Sequence, residues 1–120
     1  MRAFTVEAEE RQLMLTTAWL FARHGQGPRA RVLLEAVVEE DPRDGVSAAM
    51  LADLLLAEHQ PAAALDAVRS AEFPPNLRRA EALLETRALR MLGKDSEANA
   101  RWSRFVKSSA GSNREWVVGG

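Results

Sequence analysis

The chain of 120 residues contains no cysteine, no tyrosine and only two histidines. The lack of cysteine excludes a disulfide-stabilised scaffold, a thiolate zinc site and a cysteine nucleophile. With so few histidines, any metal site would depend mainly on carboxylates. We therefore expect neither a metal nor another cofactor.

An excess of charge of one sign is also missing. Lysine and arginine together number 16 against 17 acidic residues, which gives a net charge of −1. This balance argues against a strongly basic nucleic-acid-binding protein and against a polybasic membrane module. We therefore expect no nucleic-acid partner.

Long apolar runs are missing as well. The richest stretch, residues 46–57, is interrupted by Ser47 and Asp53, and a membrane span needs about 20 apolar residues. Acidic Glu7, Glu9 and Glu10 lie where the apolar part of a signal peptide would begin. These features predict a cytoplasmic protein without membrane insertion.

What the sequence does contain is a regular series of helical segments. Apolar residues make up 47% of the chain, enough for a core, and they recur at helical spacing without strand-like alternation. Six such segments are separated by residues 25–28, residues 42–45, Pro61, residues 74–75 and Gly93. We predict an all-α domain, with Asn76 capping the fifth helix.

The six segments repeat with a period of 34 residues. Small residues are needed where the two helices of a pair approach closely, and large ones fill the space toward the next pair. Five sets of residues recur at this spacing: Gly25, His59 and Gly93; Ala30, Ala64 and Ala98; Ala18, Ala52 and Thr86; Phe21, Leu55 and Leu89; and Leu34, Val68 and Trp102.

This pattern resembles the tetratricopeptide repeat (TPR). The resemblance implies three tandem helix-turn-helix repeats, at about residues 11–44, 45–78 and 79–110, that form a short right-handed superhelix. A single domain would then span residues 1–108. Residues 109–120, which begin Ser/Gly-rich, are predicted to be a flexible tail. An unrelated six-helix bundle is the alternative.

The first unit contains a characteristic series of residues: Leu13, Met14, Leu15, Trp19, Leu20, His24, Gly25, Gln26, Arg29, Ala30, Leu33, Leu34, Glu35, Ala36, Asp41 and Pro42. This series resembles the start of the small TPR chaperones of bacterial type III secretion, most of all the SctY (YscY) family. The resemblance implies a cytoplasmic chaperone that binds the small secreted protein SctX and, with it, the export-gate protein SctV. Chaperones of translocators or needle subunits, and a TPR scaffold outside secretion, are alternatives.

In a TPR array the first helix of each pair lines the concave face. The predicted inward positions are Gln12, Leu15, Trp19, Ala22, Arg23, Val46, Ala49, Asp53, Leu56, Ala57, Ala80, Leu83, Arg87, Arg90 and Met91. A stripe of large apolar residues there favours an amphipathic helix or extended segment as the bound partner.

From these positions we predict seven partner-binding residues: Leu15, Trp19, Leu56, Leu83, Arg87, Arg90 and Met91. Trp19 is the best single anchor, although a core position between helices is the alternative. The arginines, with Arg79, share one stripe of the fifth helix and could hold a partner's carboxylates. A solvated basic face is the alternative there.

The C-terminal end of the array lacks an obvious polar capping helix. Trp102 or Phe105 then risks lying on an uncovered flank, which a partner, a second copy or the tail around Trp116 could cover. We therefore expect the unbound protein to aggregate or to form a homodimer.

Nothing in the sequence favours an enzyme. His24 and His59 fall in separate turns, and the chain has neither a Gly-x-Ser-x-Gly elbow nor a phosphate-binding glycine loop. We expect a binding protein. A regulatory TPR adaptor that grips a terminal carboxylate is disfavoured, because the inward positions contain no lysine and no asparagine.

Overall fold

The computed structural model describes the backbone of residues 8–119 and the side chains of residues 8–110. Within that part of the chain the structure is all-helical and has no strand. The elements are α1 (Ala8–Arg23), α2 (Gly27–Glu40), α3 (Gly45–Ala57), α4 (Pro61–Ser70), a 3₁₀ helix (Pro75–Leu77), α5 (Arg78–Met91) and α6 (Asp95–Gly119). The all-α expectation is confirmed.

The helices form three successive hairpins, α1–α2, α3–α4 and α5–α6, whose turns have the same geometry. Gly25, His59 and Gly93 adopt positive φ angles of 76°, 60° and 79°. After each of them a backbone N–H returns to a carbonyl five residues earlier: Gln26 to Phe21, Gln60 to Leu55 and Lys94 to Leu89, each at 2.8 Å. A left-handed residue ends a helix in this way by satisfying its last carbonyls. The predicted turns are therefore confirmed.

The small residues of the repeat lie where the helices touch. Ala30, Ala64 and Ala98 are fully buried, and so are Ala18 and Ala52. A methyl side chain at these positions allows two helix backbones to approach closely. Larger residues of the same 34-residue series, Leu34, Val68, Leu55 and Leu89 among them, fill the core.

The hairpins pack in chain order. α2 and α4 each lie between the helix before them and the helix after them, while α1, α3 and α5 lie side by side. α3 contacts four α-helices, namely α1, α2, α4 and α5. α2, α4 and α6 pack on one side of the row formed by α1, α3 and α5, and the opposite side of that row is left uncovered by the described helices.

A polar network joins the first hairpin to the second. The Asp44 carboxylate caps α3 by accepting the Val46 N–H at 3.1 Å, and it also accepts from Arg11 Nη2 at 2.8 Å. Arg11 Nη1 donates to Glu40 at 2.7 Å, and Ser47 Oγ donates to Asp44 at 2.9 Å. The start of α1 is thereby fixed to the start of α3.

The chain between α4 and α5 crosses the N-terminus of α3. There the Glu72 N–H donates to the Arg43 carbonyl at 2.9 Å, and the two side chains form an ion pair. A Cβ atom on Gly45 would lie 2.8 Å from the Glu72 carbonyl oxygen and 3.0 Å from Phe73 Cα. Only glycine therefore fits beneath this crossing.

A second polar network joins α4, α5 and α6. Glu85 accepts from Arg101 Nε at 2.7 Å and from Arg69 Nε at 3.0 Å. Burial by itself would raise the pKa of Glu85, but the hydrogen bonds from Arg101 and Arg69 outweigh burial and lower it. The same balance lowers the pKa of Asp44, where Arg11, Ser47 and the Val46 N–H are the donors. Both carboxylates therefore stabilise the fold in their charged form.

α6 continues to Gly119, beyond the predicted domain end at residue 108. The side chains after residue 110 lie outside the described residues. The predictions of a flexible tail at 109–120 and of fold-back around Trp116 concern that segment and stay predictions.

Candidate protein-binding face

An exposed, partly apolar face runs across α1, α3 and α5. Its large apolar members are Trp19 on α1, Val46 on α3, and Leu83 and Met91 on α5, all of them exposed. Charged side chains accompany them; those used below are Arg23, Asp53 and Arg87. We call this set of seven residues the Trp19 face.

Trp19 lies on the surface and not in the core, since the residue is 49% exposed. The guanidinium carbon of Arg23 lies 4.7 Å from the centre of its indole ring. A cation over an exposed indole contributes about 0.5–1 kcal/mol, so Arg23 orients the ring without covering it. An exposed tryptophan held in place this way suits contact with another protein.

An ion pair shows that corresponding positions of neighbouring hairpins lie next to each other. Arg87 Nη1 lies 3.3 Å from Asp53 Oδ1, and the two residues are 34 positions apart. Trp19 precedes Asp53 by the same interval. Trp19, Asp53 and Arg87 therefore occupy equivalent positions on α1, α3 and α5, with Arg23 beside Trp19 at one end and the Asp53–Arg87 ion pair at the other.

Two predicted partner-binding residues are placed in the core. Leu15 is 7% exposed and Leu56 is 2% exposed, so the expectation that they line an open groove is corrected. α3 is surrounded by four helices, and Leu56 packs in its interior cluster together with Leu15. Fewer than the five predicted inward positions are therefore exposed on α1 and on α3.

The predicted basic stripe of α5 divides between different neighbours. Arg87 contacts Asp53, whereas Arg90 Nη2 donates to Asn99 Oδ1 of α6 at 2.9 Å. The guanidinium of Arg79 lies 6.0 Å from the ring centre of Trp102, also on α6. Of the three arginines, Arg87 belongs to the Trp19 face, and Arg79 and Arg90 contact α6.

The flank of α6 is partly covered. Trp102 and Phe105 are half-buried, with ring centres 5.3 Å apart, and Arg79 lies against Trp102. Val106 is exposed beside them. The predicted flank therefore presents half-buried rings and an exposed valine.

The histidines and carboxylates form no metal-binding cluster in the described residues. His24 and His59 lie exposed in separate turns, as predicted. Among residues that the structure describes, no three His, Cys, Asp or Glu side chains are grouped to hold a metal ion. Within residues 8–119, no helix has both the length and the apolar character needed to cross a membrane.

No protein-family model matches this sequence, and no curated protein is detectably similar to it. The site therefore has to be judged on its own geometry.

Three members of the Trp19 face, Arg23, Val46 and Asp53, are absent from the predicted binding residues, and Val46 is the apolar one among them. It occupies a predicted inward position near the start of α3 and is exposed. Its β-branched side chain at a helix start was a weak signal beside the larger leucines. In the structure Val46 is exposed, whereas the larger Leu56 is buried.

Proposed function

We propose that this protein is a TPR-type chaperone or adaptor of a bacterial type III secretion system that holds a protein partner against the Trp19 face. The observation that carries the proposal is the row of exposed apolar side chains, Trp19, Val46, Leu83 and Met91, on one side of three adjacent helices. A soluble monomer gains little from keeping such a row in water, whereas a bound apolar segment would cover it.

The repeat assignment is part of the same proposal. The turn geometry and the buried alanines recur every 34 residues, which is the length of a TPR unit. Three such units would set α1, α3 and α5 along the inner surface of a short superhelix. The partner that best suits this surface is an amphipathic helix with acidic residues toward the Arg87 end.

The proposed partner is a small SctX-like secreted protein, with the export-gate protein SctV joining the complex, as the resemblance of the first hairpin to the SctY family implies. The protein then acts by binding and not by catalysis. Its role in the cytoplasm would be to cover apolar surface of the partner before export.

Replacing Trp19 with alanine tests the proposal. In isothermal titration with the SctX-like protein of the same organism, Trp19→Ala should weaken binding by about 2 kcal/mol, as truncation of a central aromatic anchor does. The matched control is Val32→Ala, because Val32 is exposed on α2, away from the face. That variant should bind as the wild type does.

Melting curves for each variant separate binding from folding. Because Trp19 is half exposed, the free energy of unfolding of Trp19→Ala should lie within about 1 kcal/mol of that of the wild type. A folded Trp19→Ala protein with unchanged affinity would show that the partner binds elsewhere. Translocator and needle subunits titrated in parallel distinguish the secretion partners, and binding to none of them would overturn the secretion assignment.

A further inference from the structure

A cleft of about 780 Å³ lies at the far end of the molecule, between the segment that precedes α5, the first turn of α5 and the middle of α6. It shares no residue with the Trp19 face. Its walls combine four arginines, Arg78, Arg79, Arg101 and Arg104, with the rings of Phe73 and Phe105. This volume is typical of a site that encloses several groups of a ligand.

Three of the four arginines have no carboxylate partner in the described part of the chain. Arg101 is occupied by Glu85 at 2.7 Å, but none of Arg78, Arg79 and Arg104 forms an ion pair with any residue that the structure describes. Elsewhere Arg11, Arg31, Arg43, Arg69 and Arg87 all contact carboxylates. Arg23, Arg29 and Arg90 also form no ion pair with a described residue, but they are not gathered in one cleft as Arg78, Arg79 and Arg104 are.

The remaining walls determine what kind of anion fits. Glu72 and Glu81 also line the cleft. Glu72 is paired with Arg43, which leaves Glu81 as a negative charge beside Arg78, Arg79 and Arg104. A polyphosphate chain is charged along its whole length and would leave the half-buried Phe105 ring without an apolar contact, whereas the Phe73 ring already packs in the core. A peptide in which carboxylates lie next to apolar side chains satisfies both kinds of wall, since guanidinium forks bind carboxylates with paired hydrogen bonds.

We propose that this cleft binds an acidic peptide segment of a protein partner, with its carboxylates on Arg78, Arg79 and Arg104 and an apolar side chain against Phe105. It is a second binding site, independent of the Trp19 face. A partner with an apolar helix and an acidic flanking segment could engage both sites, which would raise the affinity through the high effective concentration of the second segment.

A labelled peptide tests the site directly. The probe is a short fluorescein-labelled peptide that alternates glutamate with leucine and phenylalanine, followed by fluorescence anisotropy. Saturable binding with a dissociation constant below about 1 mM is expected. The same peptide with glutamine in place of glutamate should bind about tenfold more weakly, the loss expected from one charge-assisted hydrogen bond. Equal affinity for the two peptides, or no saturable binding, would overturn the proposal.

Charge reversal separates the cleft from general attraction. The double variant Arg78→Glu with Arg104→Glu should bind the probe about tenfold more weakly or worse. The control, Arg29→Glu with Lys94→Glu, changes the net charge equally at exposed positions outside the cleft and should bind within about twofold of the wild type. Equal losses in the two doubles, with both folded by circular dichroism, would refute a specific site.

Two further measurements complete the test. An oligothymidylate carrying the same label should bind more weakly than the peptide; tighter binding that also depends on Arg78 and Arg104 would make the cleft a nucleic-acid site. Trp19→Ala should bind the peptide as the wild type does. A failure of the cleft is thereby distinguishable from a failure of the proposed function at the Trp19 face.

Discussion

Enlarging Ala64 should destabilise the protein, and the same change one residue earlier should not. Ala64 is fully buried in α4, the second helix of the middle hairpin, which packs between α3 and α5. Ala63 is its exposed neighbour on the same helix. Leucine adds three carbon atoms at either position and has nearly the helix propensity of alanine.

The expected difference follows from the space available. At position 64 the added atoms must separate two helix backbones or adopt strained rotamers, which costs about 1–3 kcal/mol. At position 63 they enter solvent, and the change should stay within about 0.5 kcal/mol. In a domain of this size 1 kcal/mol corresponds to about 4 °C in the melting temperature. Ala64→Leu should therefore melt about 4–12 °C lower than the wild type.

Circular dichroism melts of Ala64→Leu, Ala63→Leu and Ala98→Leu test this reasoning. Ala98 is equally buried, but α6 packs extensively on α5 alone, so its variant should lose less stability than Ala64→Leu. If Ala64→Leu melts at the same temperature as Ala63→Leu, position 64 is not a close contact between helices, and the assignment of the 34-residue series to helix contacts is wrong.

Three further changes probe the crossing, the buried hydroxyl and the α4–α6 network. Gly45→Ala should cost about 1–3 kcal/mol, because its Cβ would meet backbone atoms of Glu72 and Phe73. Gly27→Ala is the control in melts, since its Cβ would meet only movable side chains at 3.3 Å and beyond; equal stability of the two variants would contradict the close approach. Thr86→Val should stabilise the fold by about 1 kcal/mol, because the buried Thr86 hydroxyl has no hydrogen-bond partner among the described residues; a lower denaturant midpoint for the variant would contradict this. The pKa of Glu85 is lowered in the fold, so its stabilisation is complete above the unfolded value of about 4.3 and is lost as pH falls through the lower folded value. Melts between neutral pH and about pH 3 should therefore show Glu85→Gln less stable than the wild type at neutral pH, with the gap closing in acid; a constant gap would assign the loss to packing.

The local features of this fold were accessible from the sequence, and those that depend on distant neighbours were not. The positive φ angles at Gly25 and Gly93 follow from glycine at a helix end, and Pro61 begins α4 as its fixed φ angle favours. Asn76 was predicted to cap α5, but it lies in the 3₁₀ helix, and Leu77 takes the cap position without a side-chain bond.

The binding face was predictable in its position but not in its width. Helical periodicity places Trp19 and Leu15 on the same stripe of α1, yet only Trp19 is exposed. Which of the two is covered depends on how closely α3 approaches, and periodicity carries no information about that distance. The pairing of Arg11 with Asp44, 33 residues apart, is likewise a product of helix packing.

The way α6 is attached has a consequence for the motions of the molecule. Among the described helices α6 packs extensively on α5 alone, whereas α3 is enclosed by four others. In such a linear stack the free energy of local opening is lowest at the ends and highest in the middle. Amide hydrogens of α6 should exchange with solvent well before those of α3. The last helix could then detach and dock on a second molecule in exchange for its counterpart, while α1 to α4 and most of the Trp19 face stay folded.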